Sequence, residues 1–313
     1  MKKNRPRALD GALLVDKPRG MTSFDVVKKI KAWVHPLKIG HTGTLDPMAE
    51  GLLPLVIGEA TKLSRFLSAE GKSYLAKVSL GTATDTLDAE GKVVSSSAVP
   101  RIEDDELRQA LKKFEGQIQQ LPPMFSAVHH QGRRLYELAR EGKEVKRNER
   151  RVRIYRLELI ERGSDWLKLL VDCSSGTYIR SLASDIAVEL GTLGHLAELT
   201  RTRSGTFELA DAHKLDELRA EGLSQAIITL DEVLCRFVRV DTQAQQAERL
   251  AQGQCLGAKD LAKLIPSSFR GDNKICFIAP GGSPVILASV EIDAAGKPAG
   301  MKILRQLRPK ILV

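Results

Sequence analysis

Asp46 draws attention because of the residues packed around it. It lies in Gly40-His41-Thr42-Gly43-Thr44-Leu45-Asp46-Pro47-Met48-Ala49-Glu50-Gly51, a run of glycine, hydroxyl, imidazole and carboxylate groups that turns apolar from Leu52 to Ile57. Gly40, Gly43 and Gly51 permit tight turns or close backbone approach, and Pro47 restricts Asp46 to an extended conformation. By itself this is an Asp-Pro turn, the commonest use of such a pair. Three more residues give it chemistry: Tyr74, at the start of an alternating run, and Tyr178 and Arg180, at the start of a helical one. Each has a plainer use alone, as core aromatic or surface cation. Together they supply a carboxylate, a guanidinium that keeps it ionised, and aromatic faces that hold a planar ring.

The elements that must position these groups are legible from periodicity. Leu13 to Val15 reads as a short buried strand. Thr22 or Ser23 caps a helix with Val26, Val27, Ile30 and Trp33 on its inner face, stopped by Pro36. Leu52 to Ile57 is a buried strand, and Glu59 to Leu67 has helical spacing. Tyr74, Ala76, Val78 and Leu80 alternate with Leu75, Lys77 and Ser79, the strand pattern. A helix is expected from Glu103 to Phe114, and a strand pair over Val152 to Ile160 and Trp166 to Cys173. Ile179, Leu182, Ala183, Ile186 and Leu190 form one helical stripe, closed by Gly191. A further strand pair falls within Leu196 to Leu209, followed by helices near Leu215 to Leu218 and from Ser224 to Leu234. Beyond Phe237 the chain changes character: a polar helix over Gln243 to Ala251, then short strands over Lys274 to Phe277, Pro284 to Ile292 and Met301 to Leu307. The expected division is 1–236 and 237–313.

Charge points to a partner. The 48 Lys and Arg against 39 Asp and Glu give +9 over 313 residues, which suits a polyanion. The excess concentrates at Arg133, Arg134, Arg140, Lys143, Lys146, Arg147, Arg150, Arg151, Arg153 and Arg156, opposed by Glu137, Glu141, Glu144 and Glu149. Within 119–151, Pro122-Pro123, a short strand from Phe125 to Val128, a turn at Gln131-Gly132 and a basic helix to Arg140 form a protruding unit, poor in core residues and expected to be mobile without a partner. The longest apolar run, Leu52 to Ile57, is too short to span a bilayer, and Lys2, Lys3, Arg5 and Arg7 precede too little apolar chain for a signal peptide. Cys173, Cys235, Cys255 and Cys276 have neither zinc nor disulfide-frame spacing, which fits a cytosolic setting. Gly71-Lys72-Ser73 is no phosphate loop, since the earlier glycine position is Phe66. Asp85, Asp88 and Glu90 lack the order of a calcium loop, so a metal-dependent nucleotide enzyme fails on spacing and turn chemistry is the plainer reading.

Taken in order, Gly11-Ala-Leu-Leu-Val-Asp-Lys-Pro-Arg-Gly20, Gly40-His-Thr-Gly-Thr-Leu-Asp46-Pro, Gly58-Glu-Ala-Thr-Lys62, Lys72-Ser-Tyr74, Thr84-Asp-Thr86, Pro122-Pro-Met-Phe-Ser-Ala127, Leu135-Tyr-Glu-Leu-Ala-Arg140 and Gly176-Thr-Tyr-Ile-Arg180 resemble the TruB-type tRNA pseudouridine synthases over roughly residues 10 to 205. Phe125 and Ala187 depart from the tyrosine and glycine frequent there. The resemblance implies an α+β fold with a mixed, mostly antiparallel sheet flanked by helices and loops, plus a small β-rich, PUA-like module at 237–313. It implies isomerisation of uridine 55 in the T-loop of tRNA by base flipping, without metal or other cofactor, in a cytoplasmic monomer with no obligate protein partner.

Carried onto this chain, Asp46 is the nucleophile, Tyr74 stacks on the base and takes part in proton transfer, and Arg180 pairs with Asp46. Tyr178 and Leu199 line the uracil pocket, and His41 fills the space of the flipped nucleotide, whose extrusion costs a few kcal/mol of stacking. Lys17 and Lys62 are expected at phosphate or in support of the site. The insertion 119–151 is an RNA clamp, with Arg133, Arg134, Arg147, Arg150 and Arg151 as contacts. The rival reading is a non-catalytic RNA-binding or tRNA-folding protein on the same scaffold.

Overall fold

The strand Glu50–Ile57 is apolar at nearly every position because both of its faces are covered. In the computed structural model, which describes residues 9–126, 128–266, 269, 275–279 and 282–308, it lies antiparallel to Gly11–Lys17, with Leu13 opposite Leu55 and Val15 opposite Leu53. Odd-numbered residues of this pair (Leu13, Val15, Leu53, Leu55, Ile57) enter one core; even-numbered ones (Ala12, Leu14, Leu52, Val56) enter another. Continuous hydrophobic runs of this kind belong to strands buried on both sides.

These strands sit in an 11-stranded mixed sheet. The main path runs from Gly11–Lys17 through Glu50–Ile57, Gly194–Ser204, Lys72–Leu80, Trp166–Cys173 and Arg150–Arg162 to Gly116–Gln120. Pairing is antiparallel except where Gly194–Ser204 meets Glu50–Ile57 and where His213–Lys214 meets Gly11–Lys17. The helices Ser23–Val34 and Ile179–Glu189 bury Val26, Ile30, Leu182 and Ile186 in the first core. Thr22 caps the former helix in a capping box: its hydroxyl accepts from the Asp25 N–H at 3.0 Å and its own N–H donates to the Asp25 carboxylate at 3.0 Å. Such a cap contributes about 1 kcal/mol.

The second core joins the two parts of the chain. Cys276, Ile278, Val285, Leu287 and Leu307, from a four-stranded sheet of Val238–Asp241, Ile275–Ile278, Val285–Ile292 and Pro298–Leu307, pack with Ala12, Leu14, Leu52 and Val56. Lys62 and Glu59 form its polar rim: the Lys62 ammonium donates to the Gln306 carbonyl at 3.0 Å and pairs with Glu59 at 2.8 Å, and Glu59 accepts from the Arg308 N–H at 2.6 Å.

Several expectations change. Glu59 to Leu67 is a 3-10 turn, Gly58–Leu63, followed by the helix Ser64–Ser68. The helix expected over Ser224 to Leu234 is broken: Leu223–Ala226 and Leu230–Leu234 flank a strand, Ile227–Thr229, that pairs with Gly11–Leu13. Its three residues are apolar or β-branched and fit either period, so the partner strand decided. The described residues of Phe125 to Val128 are not a strand; the hairpin lies one step on, at His129–His130 and Arg133–Arg134, around the expected turn. The insertion is also less poor in core than its charge suggests, since Leu135 and Leu138 are buried. The helix Ala258–Leu264 and the strand Gly116–Gln120 carried no strong periodic signal. Lys274, Ala127 and the basic residues Lys2, Lys3, Arg5 and Arg7 lie outside the described residues.

Candidate active site

A cavity of about 280 Å³ opens between the Asp46 loop, the start of Lys72–Leu80 and the N-terminal end of Ile179–Glu189. Asp46, Tyr74, Tyr178, Arg180 and Leu199 all line it. Its size is near the lower bound of about 300 Å³ for small-molecule pockets, fit for one planar base rather than an extended ligand. Four separate stretches of sequence thus converge on a single concave site.

Asp46 is held by Arg180 through two nitrogens, Nε to Oδ2 at 3.0 Å and Nη2 to Oδ1 at 3.3 Å. Arg180 is 5% exposed, whereas the Asp46 side chain keeps 35% of its surface, open to the cavity. The rest of the guanidinium is fully used: Nη1 donates to the Thr86 carbonyl at 3.0 Å and faces Asp88 at 3.4 Å, and Nη2 also donates to the Phe125 carbonyl at 2.8 Å. Planar, bidentate pairing of this kind fixes orientation as well as charge. Burial pushes the Asp46 carboxyl above its ordinary value; Arg180 opposes that rise and the nearby charge of Asp88 adds to it. Backbone bonding stiffens the loop: the Ala49 N–H donates to the Asp46 carbonyl at 3.1 Å, and Ser23, at the start of a helix, bonds Leu45 both ways.

Tyr74 is buried, and burial pushes its phenol up to about 12, so it is protonated at neutral pH. Tyr178 precedes the Ile179–Glu189 helix and is pinned by Gln120, which accepts from its N–H at 2.7 Å and donates to its carbonyl at 3.0 Å. His41 stands on the short strand Ile39–His41, outside the cavity lining; its Nδ1 is buried without a hydrogen-bond partner, and burial, then the charge of Arg201, lowers its pKa.

The other expected residues divide. Lys17 is fully buried and its ammonium donates to the carbonyls of Met21 at 2.6 Å, Pro18 at 3.0 Å and Pro47 at 3.4 Å, which ties the first strand to the Asp46 loop. A phosphate could not reach it without opening that loop, so its position suits support of the site and not a phosphate contact. Lys62 serves the inter-sheet rim described above. Arg134, Arg150 and Arg151 are exposed, Arg133 pairs with Glu141, and Arg147 folds back, donating to the Pro122 carbonyl at 2.9 Å. Among the described residues no three His, Cys, Asp or Glu side chains are grouped to hold a metal, and no helix is long and apolar enough to cross a membrane.

Sequence reasoning missed three cavity neighbours. Asp88, taken for turn chemistry, is the second carboxylate on Arg180. Lys72 and Arg201 line the cavity from within strands, where an alternating cation reads as solvent-facing. Only the proximity of Lys72 to Tyr74 in sequence was a usable signal.

The fold is that of a family of base-modifying enzymes. It superposes on a Cbf5–Nop10–Gar1 complex with a TM-score of 0.70 at 25% identity, over 95% of this chain and 86% of that one. An H/ACA RNP bound to a substrate RNA containing 2′-deoxyuridine gives 0.69 at 23% identity over 97% and 86%, a likeness of fold alone. The family profile described as TruB family pseudouridylate synthase (N terminal domain) matches residues 29–179, and that of the tRNA pseudouridylate synthase B C-terminal domain matches 180–248. The chain is 46% identical to the tRNA pseudouridine synthase B of Aromatoleum aromaticum, over 82% of this chain and 84% of the relative, and 43% identical to that of Chromohalobacter salexigens over 81% and 83%. The chain belongs to the TruB family of pseudouridylate synthases, isomerases that turn uridine into pseudouridine.

Proposed function

We propose that this chain isomerises uridine 55 in the T-loop of tRNA, without cofactor, with Asp46 as nucleophile. The observation that carries the reading is the bidentate grip of Arg180 on a carboxylate that faces a base-sized cavity. The similar proteins named tRNA pseudouridine synthase B supply the substrate class.

Isomerisation breaks the N1–C1′ bond, turns the base and joins C5 to C1′; C5 loses one proton and N1 gains one, so nothing enters or leaves overall. An ionised Asp46 can attack the sugar C1′ or the uracil ring, and both routes need the carboxylate unprotonated and aimed. Arg180 serves both needs. Tyr74, Tyr178 and Leu199 enclose the everted base, with the Tyr74 hydroxyl as a proton carrier beside it. His41 takes up the space left in the loop, and Arg134, Arg150 and Arg151 hold backbone phosphates. A purely RNA-binding role would use the same basic surface but has no use for the Arg180–Asp46 pair.

The test is pseudouridine formation in an unmodified T-stem-loop minihelix. Asp46→Asn is expected to fold and bind like the parent chain and to form no product; product from that variant would remove Asp46 as nucleophile.

A further inference from the structure

Among the described residues Arg201 is one of the largest fully buried side chains, 1% exposed, and its charge faces no carboxylate. A buried cation is tolerated only when hydrogen bonds replace water around it. Here they come from the loop that carries Asp46. Nε donates to the Leu52 carbonyl at 2.7 Å, Nη2 to the Gly43 carbonyl at 3.1 Å, and Nη1 reaches the Thr44 carbonyl at 3.5 Å. Gly43 and Thr44 precede Asp46 and Leu52 follows it, so a single planar group closes the loop from both arms.

The backbone of Arg201 is placed as tightly. It sits opposite Tyr74 on one side and opposite Gly51 on the other, and a register irregularity follows between Arg201 and Arg203. Bulges of this kind redirect side chains and gather beside active sites. Gly51 has φ of +93°, and a Cβ there would lie 2.6 Å from the Arg201 carbonyl oxygen, so only glycine lets the strands meet. Cross-strand partners share a face at about 5 Å, and Arg201 and Tyr74 line the same cavity, near enough that the charge of the one acts on the phenol of the other. A guanidinium has donors only, so it takes no proton from the phenol and can act on it only as a cation or a donor.

We propose that Arg201 is a positioning residue for the isomerisation: it closes both arms of the Asp46 loop and sets its cation beside Tyr74 on the wall of the same cavity. Lysine cannot replace it, because a point-like ammonium does not span carbonyls on both arms of the loop at once. The proposal rests on the assignment of Asp46 and Tyr74 made above.

Single-turnover rates on an unmodified tRNA transcript decide it, with the full chain as Arg201→Lys, Arg201→Met, Tyr74→Phe and Arg201→Lys/Tyr74→Phe. Arg201→Lys is expected to bind tRNA within about threefold of the parent chain and to isomerise about 100-fold more slowly, the scale of a 1 Å misplacement of reacting groups. Tyr74→Phe should cost much less in the Arg201→Lys background than alone, a coupling that loss of stability by itself does not produce. Parental rates in the folded Arg201 variants, or independent effects of the two substitutions, would overturn the proposal. If the Arg201 variants do not fold, Gly43→Ala takes their place: its added carbon would sit 3.4 Å from Arg201 Nη1 and from Lys72 Cε. It should slow the reaction severalfold at unchanged melting temperature, and an unchanged rate counts against the proposal. Asp46→Asn, run alongside, separates the two claims: an active Asp46→Asn defeats the nucleophile assignment, whereas an inactive one beside a fully active Arg201→Lys defeats only the role of Arg201.

Discussion

Arg180 approaches Asp46 with two nitrogens, and its third, Nη1, lies 3.4 Å from Asp88 and 3.0 Å from the Thr86 carbonyl. The arginine is therefore aimed by the 84–91 loop at the carboxylate of a different loop. Arg180→Lys keeps the charge and loses the planar two-point contact. Its single-turnover rate should fall by two orders of magnitude or more, with tRNA affinity changed by less than about threefold. A binding defect as large as the rate defect would show that Arg180 holds the RNA instead.

Asp88 gives this arrangement a pH signature. Asp46 sits above its ordinary value of 3.8 through burial first, with the charge of Asp88 adding to the rise. Single-turnover activity should increase with pH as Asp46 ionises, through a range higher than that of a solvated aspartate. Asp88→Asn removes a negative neighbour, so this limb should move to lower pH while the plateau drops roughly tenfold because Arg180 loses one of its anchors. A limb that stays in place would exclude Asp46 as the titrating group.

Lys17 and Lys72 bear on stability. Burial lowers each from 10.5 to about 8 in the fold. Between pH 8 and 9 these two give up protons in the native state that the unfolded chain keeps, so unfolded chains bind more protons and stability rises with pH. From about pH 9 the effect is opposed, since burial raises Cys173 to about 11 and Cys276 to about 12 against 9.0 in the unfolded chain. Urea midpoints measured at pH 8 and 9 should increase for the parent chain and flatten for Lys17→Met/Lys72→Met.

Arg150 and Arg151 begin the strand Arg150–Arg162, exposed, opposite Gln120 and Gln119. Gln120 in turn pins Tyr178, so the basic insertion is attached through this strand pair to the wall of the cavity. Arg150→Glu/Arg151→Glu should weaken tRNA binding and reduce the log–log salt slope by about 1 to 2, at roughly 0.7 to 0.9 per phosphate contact. An unchanged slope would place the phosphates elsewhere.

The parts of this site that repeat in the sequence were readable, and those created by neighbours were not. The alternation through Tyr74, Ala76, Val78 and Leu80 and the stripe through Ile179, Leu182, Ala183 and Ile186 predicted the strand and helix that carry Tyr74 and Arg180. The Asp46 loop was conspicuous through its glycines and Pro47. Arg201 looked like any charged residue of a half-exposed strand; it shares the inward face of Leu199, and the carbonyls of the loop above it are what let a cation sit there. Asp88 belonged to a polar turn by every local sign, and its meaning came from an arginine more than ninety positions away. Ile227–Thr229 was hidden for the same reason, its conformation being set by Gly11–Leu13.

The strand Glu50–Ile57 leads directly out of the Asp46 loop and forms a wall shared by two cores, one behind the cavity and one beneath the C-terminal sheet. Leu307→Ala, at a fully buried position of the second core, should cost 2–5 kcal/mol as other large-to-small core changes do. Such a wall has no side on which mutations are silent. Most strands let alternate positions drift, but here an odd position disturbs the support of the nucleophile and an even one loosens the neighbouring module. The chain's freedom to vary between residues 52 and 57 is thereby limited to exchanges among apolar side chains of similar volume, and a chain cut before Val238 would open this wall to water.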